Sequence, residues 1–209
     1  MNQQQQSLEE LQHIKQMMEK SSRFISLSGL SGIAAGSAAI LGAFFAAKLI
    51  SSYHDGINRD YRSLQIQLVV VAGVVLIVAL VSGFIFTFLR SKKNGVTVWG
   101  KATRRLVTNL AIPLLAGGLI ILRLLQLKYI ALIAPLCLVF YGLSLINASK
   151  YTLGEIRYLG YCELVLGIIN FWVPAQGIIF WAIGFGFLHI IYGVIMWRKY
   201  ERVNEYANS

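Results

Sequence analysis

The sequence predicts an all-α, polytopic membrane bundle of six transmembrane helices in three antiparallel hairpins, preceded by a short amphipathic cytoplasmic helix. Three observations carry this expectation. The 209 residues are 56% hydrophobic, with a mean hydropathy of +0.63. Only 13% are charged, about half of the roughly 25% usual in a soluble domain. The apolar residues also gather into runs near the ~20 residues that carry a helix across a bilayer core.

Residues 1–23 are polar and are read as a cytoplasmic amphipathic helix. Ser7 and Glu10 have the spacing of a capping box. Leu8, Leu11, Ile14, Met17 and Met18 then follow on one helical face. The other face mixes Glu9, Glu10 and Glu19 with Lys15 and Lys20, so a protein surface suits residues 8–18 better than anionic lipid does. The first apolar run is too long for a cleaved signal and reads as a retained anchor.

The expected spans are 24–50, 66–89, 106–122, 129–148, 158–173 and 177–197, followed by a cytoplasmic tail over 198–209. Arg123, Gln126 and Lys128 break the long apolar stretch 106–148 into two helices. With the N-terminus inside, fourteen Lys and Arg fall on the inner side and five on the outer. The positive-inside rule then sets both termini in the cytoplasm. The loop 90–105 has six basic residues, no acidic one, and Trp99. In a membrane protein such a loop faces anionic headgroups, and no nucleic acid is expected. Cys137 and Cys162 both lie in apolar runs, which excludes a disulfide framework. Neither a metal nor a cofactor is expected, because no ligand cluster is evident.

The first span carries a stripe of small residues: Gly29, Gly32, Gly36, Ala39, Ala43 and Ala46. Their three- and four-residue steps let another helix approach closely, within the chain or in a homo-oligomer. In the fifth span Gly160, Glu163, Gly167 and Asn170 share one face, and Gly186, His189 and Gly193 share one in the sixth. Folded back at Pro174, the two spans bring Glu163 and His189 within about one turn of the same level. The expectation is a glycine-lined crevice in the last hairpin where carboxylate meets imidazole. An unpaired charge there costs about 2.5 kcal/mol or more. Glu163 is then either part of a structural clasp or part of an ion pathway. A contact predicts that Glu163→Leu alone destabilises more than Glu163→Leu with His189→Leu, since the single change strands the imidazole.

Asn109 and Asn147 join Glu163, Asn170 and His189 as intramembrane polar candidates. Pro113 and Pro135 are expected to kink their helices and to free the carbonyls of Asn109 and Ala131. Gly29 to Gly32 read GLSG, which resembles the string around the nucleophile of rhomboid intramembrane serine proteases. That resemblance implies Ser31 as nucleophile and His189 as base, but it covers four residues and sits in the wrong span. The junction MEKSSRFISLSGLSGIAAG, Met18 to Gly36, resembles the opening of a family of small bacterial six-span proteins without assigned activity. It implies a bacterial inner membrane and no chemistry. The leading expectation is thus a non-enzymatic inner-membrane protein that works through a partner or by oligomerising. A small transporter or channel using the Glu/His/Asn layer is the alternative, and a Ser31–His189 protease is the third reading.

Overall fold

The computed structural model of the protein describes residues 24, 27–56, 60–93, 95 and 98–202, so the helix expected over 8–18 lies outside the described residues. Everything described is helix or turn, with no strand among the described residues. Helix α1 is Gly29–His54, α2 is Tyr61–Lys93 and α3 is Lys101–Gln126. Helix α4 is Ile130–Tyr151, an α-helix over Ile133–Ala148 with a 3₁₀ turn at each end. Helix α5 is Glu155–Trp172. The last rod, α6, is Pro174–Arg202 and changes winding along its length. Its Ala182–Leu188 and Arg198–Arg202 segments are π-helical, and His189–Trp197 between them is α-helical.

Five of these, α1 to α4 and α6, are long and apolar enough to cross a membrane. The remaining helix, α5, has 18 residues and carries Glu155, Arg157 and Glu163. Chemistry at the helix ends explains several boundaries. Ser28 caps α1 by accepting the Leu30 N–H at 3.3 Å. The α1–α2 connection is shorter than the 51–65 loop expected, because α1 runs to His54 and α2 resumes at Tyr61. Gly56, at φ 73°, takes the left-handed conformation that turns the chain after α1. Pro135 costs its helix less than a mid-helix proline would. It lies in the first turn of Ile133–Ala148, where an N–H has no helical partner to lose.

Glycines decide which rods touch. A Cβ on Gly36 would sit 2.6 Å from the Gly186 carbonyl oxygen, and one on Gly193 would sit 2.7 Å from that of Gly29. Gly29 itself lies directly on Gly193 and Trp197. The small stripe of α1 therefore seats antiparallel on α6 within the same chain. In the same way Gly142 of α4 meets Gly160 of α5, at 2.7 Å to its carbonyl oxygen, and Gly167 meets the Pro135 carbonyl oxygen at 2.9 Å. Close backbone approach of this kind is how helices associate where lipid removes the usual hydrophobic drive.

These seatings change which glycines line the expected last hairpin. Gly160 and Gly167 of α5 face α4, and Gly186 and Gly193 of α6 face α1, whereas Gly184 of α6 lies against the Glu163 side chain of α5. Two layers result: α2, α1 and α6 on one side, and α3, α4 and α5 on the other. Helix α2 packs mainly on α1, with only Leu64 and Ser91 buried.

Candidate functional site

Glu163 lies where the two layers meet. It sits on the inward face of α5 with Leu159, Gly160, Gly167 and Asn170, and its side chain is 0% exposed. Across the seam is the π-helical stretch of α6. Gly184 in that stretch leaves room for the carboxyl, since a Cβ there would fall 2.5 Å from Glu163 Oε2. One turn on, His189 Nδ1 lies 3.4 Å from Glu163 Oε1. That is close enough for charge to act but not a formed hydrogen bond. Both carboxyl oxygens lack a hydrogen-bond partner among the described residues.

The imidazole is held more firmly. Nδ1 lies 3.0 Å from the Gly184 carbonyl oxygen. A carbonyl only accepts, so Nδ1 carries a hydrogen. In the neutral ring Nε2 is then the acceptor, and Tyr141 Oη, 2.8 Å away, donates to it. Tyr141, on α4, also stacks on the ring at 5.3 Å between centroids. Phe185 covers it at 6.0 Å. Three helices thus supply one chain of groups: Glu163 from α5, His189 from α6 and Tyr141 from α4. A proton placed on Nε2 would turn Tyr141 from donor to acceptor, so the chain has two polarities.

The other polar candidates do not join it. Asn147 Nδ2 donates to the Asn109 carbonyl at 3.0 Å. That is the carbonyl Pro113 leaves free, so the asparagine repairs the proline's damage. The Asn109 side chain turns back to the Arg105 carbonyl at 2.8 Å. Asn170 is 0% exposed and donates to the Val173 carbonyl at 3.0 Å, closing the C-terminal end of α5. Its Oδ1 has no partner among the described residues. The single polar layer is therefore three separate groupings. Ser31 donates to the Ser28 carbonyl at 2.5 Å, while both ring nitrogens of His189 are engaged by Gly184 and Tyr141. The structure does not bring that serine and histidine together.

No group of three or more metal-ligating side chains occurs among the described residues. Trp99 in the basic loop is 63% exposed. Arg90, at the loop's start, instead turns inward to the Leu27 carbonyl and to Glu201. Sequence reasoning missed Tyr141 and Gly184. A lone tyrosine in the apolar run of α4 was the available signal, because a buried phenol needs a partner.

No family model, curated protein or solved structure matches the chain. The Glu163 neighbourhood is what remains to speak for its chemistry.

Proposed function

We propose that the protein crosses a bacterial inner membrane six times, with both termini cytoplasmic, and moves a small solute or ion in exchange with protons carried by Glu163. The observation that supports this reading is the carboxyl itself. It is buried at 0% exposure with neither oxygen hydrogen-bonded among the described residues. A structural clasp would use those oxygens, since an unmatched buried acceptor costs about 1–3 kcal/mol. Ionisable groups kept inside a membrane despite such a cost mark ion and proton paths. The imidazole 3.4 Å away gives the proton a neighbour to pass to.

The setting agrees with a bilayer. Leu76, Ile77, Leu80 and Phe84 of α2 are each more than half exposed, as a lipid-facing helix requires. Trp172, 85% exposed at one end of α5, suits an interfacial anchor. The same bare surface of α2 favours a second reading, in which the protein works through an oligomer or a membrane partner. The basic loop 90–105 would rest on anionic headgroups in either case.

Reconstitution into proteoliposomes with an imposed pH gradient separates the readings. The transport reading expects gradient-driven proton or solute flux that Glu163→Gln abolishes while the variant stays folded. Wild-type vesicles that move no proton, cation or amino-acid class, in a protein that elutes as a stable oligomer, would leave the partner reading in its place.

A further inference from the structure

The two layers are held together unevenly. Within each layer, glycines bring backbones into contact: α1 to α6 at Gly29, Gly36, Gly186 and Gly193, and α4 to α5 at Gly142, Gly160 and Gly167. Between the layers, α5 and α6 pack more sparsely, and no backbone of α5 seats on a glycine of α6: from α5, Gly184 meets only the Glu163 side chain and Gly177 only the Asn170 side chain. Glu163 belongs to one layer and His189 to the other. A movement that separates the layers therefore separates this pair, together with the Tyr141–His189 bond, while each layer stays intact.

One end of that seam is bound at two places: the Phe24 backbone pairs with Tyr151 and Thr152, and beside it runs a polar strap, the Arg198–Arg202 π-turn. Its three successive residues Lys199, Tyr200 and Glu201 reach in opposite directions. Glu201 caps the start of α1, accepting the Gly29 N–H at 2.7 Å and the Ser28 hydroxyl at 3.1 Å. Arg90 of α2 lies 3.5 Å from the same carboxylate, with side chains 10% and 18% exposed. Lys199 and Tyr200 reach the other layer, donating to Glu155 Oε1 of α5 at 2.5 and 2.7 Å. The two attachments differ in strength. The Glu201 side is sheltered and joined at several points, as a fixed anchor should be. On the Glu155 side Lys199 is 57% exposed, and exposed ion pairs hold weakly. A weak, geometrically specific contact is the one that can be released.

Between this strap and the buried pair lies an apolar plug. Leu145, Ile156, Leu159 and Met196 form one buried cluster, with Tyr141 and Tyr200 packed against it. Along α5 the plug fills the eight residues from Glu155 to Glu163, roughly 12 Å at the helical rise. Water coming from the strap end must cross that thickness, and it can do so only if α5 moves away from α6.

We infer that residues 198–202 are a latch on the cytoplasmic side, and that release of Glu155 from Lys199 and Tyr200 lets the two layers part and opens Glu163 to water from that side. This rests on the reading of Glu163 as the proton-carrying group and names how its access is controlled. Glu201 stays bound to α1 and α2 throughout, so the strap remains with one layer and the opening has a fixed side.

The test reads access to Glu163 directly, without relying on flux. Purified full-length protein in vesicles is treated with a water-soluble carbodiimide and an amine, and modification of Glu163 is quantified by mass spectrometry. An apolar carbodiimide run in parallel reaches Glu163 through the lipid and shows that the carboxyl reacts. The expected result is slow water-phase labelling of the wild type and at least tenfold faster labelling of Lys199→Gln, with apolar labelling within about twofold. Glu155→Gln should behave like Lys199→Gln, and the exchange Glu155→Lys with Lys199→Glu should restore slow labelling. Should one variant fold poorly by size exclusion, the other carries the comparison, with Tyr200→Phe as a milder third. Water-phase rates that stay equal across folded variants overturn the latch. Loss of flux in Glu163→Gln with unchanged labelling leaves the transport reading standing and removes the latch. Faster labelling of the latch variants in a protein that shows no flux leaves the latch as a gate and removes the transport reading.

Discussion

Removing His189 should destabilise the protein, whereas removing Glu163 should not. In Glu163→Leu the imidazole keeps both of its hydrogen-bonding partners, Gly184 and Tyr141. What disappears is a carboxyl that has no hydrogen bond among the described residues. Replacing an unmatched buried charge by an apolar group of similar volume is commonly neutral or stabilising. In His189→Leu, by contrast, the Tyr141 hydroxyl loses its acceptor at 2.8 Å and the carboxyl loses its nearest polar neighbour. One stranded hydroxyl costs about 1–3 kcal/mol, and lost ring stacking with Tyr141 adds about 0.5–1.5 kcal/mol. The total is about 1.5–4.5 kcal/mol. At about 2–4 °C per kcal/mol for a chain of this length, melting should fall by about 3–18 °C. Tryptophan fluorescence during thermal unfolding in detergent at pH 7 measures it. The sequence suggested instead that Glu163→Leu alone costs more than Glu163→Leu with His189→Leu, because loss of Glu163 would strand the imidazole. Glu163→Leu costing more than His189→Leu, in two well-folded variants, would refute the tautomer assignment and the whole account of the site.

Other outcomes follow from particular contacts. Gly36→Leu should abolish the folded monomer on size exclusion, because its Cβ meets the Gly186 backbone, which cannot yield. Gly73→Ala and Gly118→Ala meet open space, and should leave melting unchanged or raise stability by up to about 1 kcal/mol through helix propensity. Asn147→Ala strands the Asn109 carbonyl and should cost about 1–3 kcal/mol. Pro113→Ala in the same chain should restore most of that by returning a backbone N–H, so an additive double mutant in thermal unfolding would contradict the repair. Burial alone would push the Glu155 carboxyl up, but the bonds from Lys199 and Tyr200 hold it below the ordinary carboxylate range. Its stabilisation is therefore complete above the unfolded-state value and is lost as pH falls through the folded one. Melting of the wild type should drop toward that of Glu155→Gln in acid, and parallel curves from pH 7 to pH 3 would speak against the contact.

The sequence by itself determined the helices, their approximate ends and the membrane solvent. Run length, charge depletion and turn residues are local quantities, and they act before any helix meets another. It also determined which residues share a face, because the helical repeat fixes that: Gly160, Glu163, Gly167 and Asn170 are all buried together on α5. Pairing of the faces was another matter. Gly29 and Gly36, Gly142, Gly160 and Gly167, and Gly186 and Gly193 are small surfaces of similar kind, and any could seat on any other by spacing alone. Only three-dimensional packing chose α1 for α6 and α4 for α5. That choice put the α5–α6 hairpin astride two layers, with Glu163 and His189 on the seam between them. The π-winding at Ala182–Leu188, which brings the Gly184 carbonyl to His189 and clears space for the carboxyl, was decided there too. A widened helical turn depends on what fills the space beside it, and a sequence does not contain its neighbours.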